Sequence, residues 1–277
     1  MKRSGGYILE SAPMRPILLS FAGFDIFAAP VFAGLAAIAA AVYVHRFRAH
    51  AELSSERYWD LMVPLAIGTI GGGVLFYFLF YGGGPAKNVA YILRTHRIGG
   101  GAFYGDLTGA VLAAWAVWRF KGLPFRRVAD LIGGAAPLGL AVMRLGCFQH
   151  GCCFGRKTDA AWAVTFTDER SAIKRLLLES PIHPSQLYEA ALAGLIFVVV
   201  HFGVFPRVKA GRLPVGSAFL AFLGLYATAR FGLDFFRGSD PGIIRPFGLT
   251  TAQSCALGSL AVAAFLWKDW TGRDARA

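Results

Sequence analysis

The chain has 277 residues, of which 56% are hydrophobic and only 16% charged, and its mean hydropathy is positive. That balance excludes an ordinary soluble domain. The formal charge of +12 at pH 7 fits basic loops lying against anionic lipid headgroups. With no aromatic–basic interleaving on a soluble surface, no nucleic-acid role is expected.

In chain order, the basic start Met1-Lys2-Arg3 precedes a first apolar run that begins only near Pro16. Many further apolar runs follow, so an uncleaved first helix is expected rather than a signal peptide. A helix needs about 20 apolar residues to cross a bilayer. Candidate spans lie at 26–44, 61–81, 103–118, 128–143, 187–205, 215–231 and 249–267. This predicts an all-α integral membrane protein of about seven transmembrane helices, with six or eight as neighbouring counts. Two spans are short and 103–118 contains Asp106, so one is a candidate for a re-entrant or partly interfacial helix. No separate soluble domain or repeat stands out, which predicts one domain over 1–277. Glycine with alanine inside the spans (Gly71-Gly72-Gly73, Gly133-Gly134-Ala135-Ala136) suits close helix packing in lipid. The loops at 119–127 (Arg119, Lys121, Arg126, Arg127) and 207–212 (Arg207, Lys209, Arg212), and the tail with Lys268, Arg273 and Arg276, are basic and are expected in the cytoplasm. The N-terminus and the region 144–184 then lie outside.

Polar chemistry concentrates between Arg144 and Ala190, in RLGCFQHGCCFGRKTD (144–159) and HPSQLYEA (183–190). Ionisable groups beside membrane spans are costly and so are functional candidates, although a single arginine at a helix end also snorkels. In TARFGLDFFRGSD (228–240), Arg230, Asp234 and Arg237 fall at i, i+4 and i+7 of one helical face. Arg144 and Arg230, from different helices, are placed to clamp a phosphate, with Asp234 orienting one of them. The structural alternative is a self-neutralising Arg–Asp pair. In HPSQLYEA, Pro184 suits a first helical turn and Ser185 suits capping free backbone donors. Gln186 and Glu189 face the same way. Cys147, His150, Cys152 and Cys153 form a dense group of ligand-type side chains. They admit four readings: small packing residues, a disulfide from Cys147 to Cys152 or Cys153, a soft-metal site, or a thiol nucleophile at Cys147 or Cys152 activated by Arg144 and His150. The adjacent Cys152-Cys153 pair does not match a standard zinc spacing. Cys255, in an apolar span, reads as packing.

These strings resemble the prolipoprotein diacylglyceryl transferase family. The match runs through Arg144, Gly146, Phe148, Gly151, Gly155 and Arg156, through His183 to Glu189, and through Arg230 and Arg237 with Asp234 in place of glutamate. Weaker similarities are GGGVLFYFLFY (71–81), LPFRRVADL (123–131), AAWAVTF (160–166) and LTTAQ (249–253). The resemblance implies a multi-pass protein of the bacterial cytoplasmic (inner) membrane, with a small extramembrane cap over 155–182 containing strand-like pieces such as AVTF (163–166). It implies transfer of a diacylglyceryl group from phosphatidylglycerol, or a related anionic phospholipid, to the lipobox cysteine thiol of a prolipoprotein, with no cofactor and no metal. Arg144 and Arg230 are then expected at the phosphate. Asp234, Gln186 and Glu189 would orient them or the glycerol, and Arg237, His183 and Asp106 would join the substrate site. Several positions depart from the family pattern. Tyr104 stands where the family carries a histidine base, and Asp106 stands where it carries glycine. Cys147 and His150 replace asparagines, Cys152 or its neighbour replaces a glutamate, Gly73 replaces an arginine, and Ala29-Pro30 replaces Tyr-Gly. The base is therefore expected among Tyr104, assisted by Asp106, and the histidines His150 and His183. Two rivals follow: a divergent relative using another acceptor, through Cys147, and a non-catalytic protein that binds anionic lipid or metal.

Overall fold

The computed structural model describes residues 14–21, 24–81, 83–95, 102–238 and 248–274. The basic start at 1–3 and the tail residue Arg276 lie outside them. Each of the seven expected spans falls largely on helical structure. The helices are α1 (Ala28–Phe47), α2 (Ser55–Phe80), α3 (Pro85–Thr95), α4 (Phe103–Lys121), α5 (Phe125–His150), α6 (Ser185–Val198), α7 (Phe205–Lys209), α8 (Ser217–Leu233) and α9 (Thr251–Asp274). One π turn, Val199–Val204, joins α6 to α7. It falls just ahead of Pro206, whose ring nitrogen has no hydrogen to donate to a regular helical ladder. The protein is an all-α multi-pass membrane protein. Among the described residues, five helical stretches are long and apolar enough to cross a membrane: Ala28–Ala51, Ser55–Phe80, Phe125–His150, Ser185–Lys209 and Ser217–Phe236. Helices α4 and α9 cover the remaining two expected spans but are not among the five. Asp106, Arg119 and Lys121 lower the apolarity of α4, and Lys268 and Asp269 that of α9.

Two expectations are corrected near the ends of spans. The first apolar run does not enter the helix directly. Residues Ile17–Phe21 (β1) and Phe24–Phe27 (β2) form an antiparallel hairpin, and the Ala28 N–H donates to the Pro16 carbonyl at 2.8 Å, fastening α1 to its base. The helix carrying Arg144 also does not stop at 143. It runs on to His150 and ends at Gly151, where φ is +79° and the N–H returns to the Cys147 and Phe148 carbonyls. Glycine takes that left-handed backbone without a Cβ penalty.

By its internal contacts the chain divides into two compact units. The first comprises Met1–Ala40, Pro137–Leu195 and Gly232–Ser239, and the second Ala41–Ala136, Ile196–Phe231 and Asp240–Ala277. In the first unit, residues 151–184 have almost no regular structure and are held by a small apolar core. Phe148, Phe154, Val164, Phe166, Ile173 and Ile182 are buried there, with Met14, Leu177, Leu178 and Leu187 packed on them. The expected strand-like AVTF contributes only a bridge, in which Val164 and Ile182 exchange two backbone hydrogen bonds of 3.0 Å. In the second unit, α2 and α4 approach backbone to backbone. A Cβ on Gly68 or Gly72 would collide with the Gly109 or Gly105 carbonyl, and one on Gly105 or Gly109 with the Gly72 or Gly68 carbonyl. Two small-xxx-small pairs thus face each other, the packing lipid favours when no hydrophobic force separates helix from solvent.

Asp130, fully buried in α5, caps the start of α8. Its carboxylate accepts the Gly216 and Ala218 N–H groups at 2.8 Å each and meets His50 Nε2 at 3.1 Å. A buried carboxylate is tolerable only with such partners, and these are the orphan donors of a helix N-terminus. Asp130→Ala leaves both amides unpaired. The expected loss is about 3 kcal/mol, read as a lowered unfolding midpoint of the detergent-solubilised protein.

Candidate active site

The first unit gathers most of the residues singled out in the sequence. Arg144 lies inside α5 rather than at its end, 6% exposed. Its Nε pairs with Glu189 Oε2 at 3.0 Å, and the same oxygen receives Arg237 Nη1 at 3.4 Å. Glu189 is placed by α6, whose first turn begins after Pro184 as expected. Gln186, three residues earlier, does face the same way. It is fully buried, and its Nε2 donates to the Cys152 carbonyl at 2.7 Å. Ser185 does not cap its own helix by side chain: its hydroxyl donates to the Cys153 carbonyl at 2.9 Å. The string HPSQLYE is thus a docking edge. Its serine and glutamine hold the cysteine turn, and its glutamate holds two arginines.

The expected single face through Arg230, Asp234 and Arg237 is corrected. Helix α8 ends at Leu233, Asp234–Phe236 tighten into a 3-10 turn, and Arg237 is extended, with φ −77° and ψ 136°. The cap competes for this backbone. Arg156 N–H donates to Phe236 O at 2.8 Å, Gly238 N–H to Phe154 O at 3.0 Å, and Arg156 Nε to Arg237 O at 3.0 Å. Arg237 reaches Glu189 only because the helix has stopped. Buried Asp234 belongs to this unit with Arg237, whereas buried Arg230, on α8, belongs to the second.

The two histidines differ. His150 ends α5, its ring edge-on to Phe27 at 5.8 Å. Its Nδ1 is buried and makes no hydrogen bond among the described residues. His183 is engaged. Trp162 Nε1 donates to Tyr188 Oη at 2.6 Å, and that hydroxyl lies 3.1 Å from His183 Nδ1. A phenol that accepts from the indole has its own proton free for the imidazole. In the tautomer with the hydrogen on Nε2, Nδ1 receives that proton. Burial pushes the His183 pKa below its ordinary value, so the ring is neutral at pH 7. The Trp162–Tyr188–His183 chain was not foreseen. Its traces in sequence were the tryptophan of AAWAVTF and the histidine and tyrosine of HPSQLYEA.

Cys147, Cys152 and Cys153 carry free thiols, and their three sulfurs lie within 4.8 Å of one another. Arg144 Nη1 approaches Cys147 Sγ at 3.9 Å. Hydrogen bonds from the Cys147 and Cys152 thiols, helped by the charges of Arg237 and Arg144, hold the Cys153 pKa well below the usual thiol range, whereas Cys152 is pushed up.

The second unit holds Tyr104 and Asp106 in the first turn of α4. Tyr104 is buried with its ring 6.3 Å from that of Tyr226. A Cβ on Gly73 would overlap the Asp106 carboxylate. Glycine at 73 and aspartate at 106 are therefore sterically linked, since the carboxylate occupies the space a side chain at 73 would need. Pro30, another departure from the family pattern, sits in the first turn of α1, where its missing N–H goes unneeded. Asp130 was missed altogether, although a lone carboxylate within the apolar run 128–143 was signal enough.

The prolipoprotein diacylglyceryl transferase profile matches residues 16–268. The chain belongs to that family. Among relatives named phosphatidylglycerol–prolipoprotein diacylglyceryl transferase, that of Geobacter sulfurreducens is 37% identical over 68% of this chain and 68% of its own length. The one from Allorhizobium ampelinum is 36% identical over 78% and 72%, and one from Legionella pneumophila is 32% identical over 79% and 81%. The matched stretch 16–268 contains Arg144, HPSQLYE, Arg230 and Arg237, on the elements just described.

Two outcomes are expected. Gly73→Ala drives a methyl into the Asp106 carboxylate and lowers stability by about 1–3 kcal/mol; adding Asp106→Gly restores the unfolding midpoint. For His183, the unfolded ring binds its proton near pH 6.5 and the folded ring at lower pH. The stabilising contribution is thus present above about pH 6.5 and lost as pH falls toward the folded value. The unfolding midpoint of wild type drops more between pH 7.5 and 5 than that of His183→Gln.

Proposed function

We propose that this chain transfers an sn-1,2-diacylglyceryl group from phosphatidylglycerol to the lipobox cysteine thiol of a prolipoprotein in the bacterial cytoplasmic membrane, its cap on the outer side. The thiolate sulfur forms a bond to the glyceryl carbon. The bond from that carbon to the phosphate oxygen breaks, and glycerol phosphate leaves with the electron pair. The supporting observation is the trio Arg144–Glu189–Arg237, in which two guanidiniums share one carboxylate oxygen. Of the trio alone, two positive charges against one negative leave one positive charge, suited to a phosphate whose charge grows as it departs. Glu189 fixes both arginines before lipid binds, so no reorganisation is needed as the bond breaks.

The incoming thiol must lose its proton. Tyrosine is a weak base at neutral pH, and His183 Nδ1 is already engaged by Tyr188 Oη at 3.1 Å. His150, with its Nδ1 unengaged among the described residues, is the base in this reading. The replacements at Tyr104 and Cys147 favour one competing reading, a protein that binds anionic lipid without turnover.

The test is glycerol phosphate release by purified protein in phosphatidylglycerol micelles with a lipobox peptide. Release requires the peptide, and Arg144→Ala reduces it by about 100-fold or more, with Tyr104→Phe and His150→Ala separating the two candidate bases. Folded protein that binds the lipid yet releases nothing overturns the transferase reading and leaves lipid binding.

A further inference from the structure

The cysteine group goes beyond the transferase chemistry, which needs no thiol from the enzyme. We infer that Cys147, Cys152 and Cys153 form a three-sulfur site for a soft, thiophilic d10 metal ion. The three Sγ atoms lie within 4.8 Å of one another. An ion bound at about 2.3 Å by three sulfurs in a plane holds them about 4.0 Å apart, so modest side-chain rotation closes the site. A disulfide would draw only two of them to about 2 Å and leave the third thiol behind.

The backbone supports a built site rather than chance proximity. Cys147 stands on the last turns of α5, and Gly151 reverses the chain immediately after it with φ +79°. Cys153 then takes φ +57°, a left-handed conformation that is unfavourable for a residue with a Cβ and is held only where its surroundings impose it. Those surroundings are visible: Gln186 Nε2 on the Cys152 carbonyl at 2.7 Å and Ser185 Oγ on the Cys153 carbonyl at 2.9 Å. The turn bearing two thiols is thereby pinned against the helix bearing the third.

Ligand chemistry narrows the ion. Thiolates select soft ions such as monovalent copper and its d10 neighbours over hard ones. Three sulfurs with no fourth ligand in the group favour monovalent copper, which is content with three-fold coordination, over zinc, which takes a closed tetrahedral set in structural sites; cadmium serves as the spectroscopic probe of the thiolates. Three thiolates around a monovalent or divalent ion carry net negative charge, and Arg144 Nη1 stands 3.9 Å from Cys147 Sγ to offset it. The inference does not depend on the transferase reading.

The test titrates reduced, detergent-solubilised full-length protein with cadmium, following sulfur-to-metal charge-transfer absorption, and then competes with monovalent copper or zinc. One cadmium binds per chain. Copper displaces it, whereas an equal excess of zinc does not. Cys147→Ser, Cys152→Ser and Cys153→Ser each weaken binding by about 100-fold, and Cys255→Ser leaves it unchanged. Three results overturn the inference: no charge-transfer band from protein shown folded by its melting profile, a band indifferent to all three serine variants, or a Cys147–Cys152 or Cys147–Cys153 disulfide recovered from cells alkylated before lysis.

Discussion

A carboxylate buried among apolar helices must be neutralised where it stands, and in the first unit that requirement falls on Glu189. It is 2% exposed, and the desolvation of such a group is offset only by close, well-aligned cations. Arg144 from α5 and Arg237 from the extended segment after α8 supply them through a single oxygen. Three separate stretches of chain are therefore tied at one atom. Removing any of the three breaks an ion pair that joins these stretches, so the same contacts that orient the arginines also hold the unit together.

The cap contributes the conditions for that knot. Its small apolar core fixes residues 151–184 without regular secondary structure, leaving backbone groups free to pair with other segments. Those pairings stop the helix before Arg237 and turn its side chain toward Glu189. The start of α6 works in the same way. Ser185 and Gln186 spend their hydrogen bonds on the cysteine turn, while Tyr188 joins Trp162 to His183. One short string thus orders a charge cluster, a thiol cluster and a neutral imidazole.

In the second unit close backbone packing plays the organising part. Facing glycines let α2 and α4 touch, and Asp130 satisfies the start of α8 from inside α5. The exchange at Gly73 and Asp106 follows the same steric logic, since a carboxylate can occupy that space only where the facing residue has no side chain.

The sequence by itself determined the class of the protein, the positions of its long apolar helices, though not of α3, and the strings that carry its polar chemistry. Transfer of apolar side chains from water is additive along the chain, so 187–205 and 215–231 announce α6 and α8 without knowledge of their neighbours. HPSQLYE likewise announced its helix start, because a proline acts on the adjacent backbone, whereas Ser185 spends its hydroxyl on the distant Cys153 carbonyl. Only the tertiary structure decided how far α5 continues past Arg144, that Arg237 leaves the helix, that Glu189 is its partner, and that three sulfurs meet beside Gln186. Each of these depends on a turn such as Gly151 or Cys153, or on a hydrogen bond between residues tens of positions apart. No local pattern encodes such contacts, because their free energy exists only once the segments have been brought together.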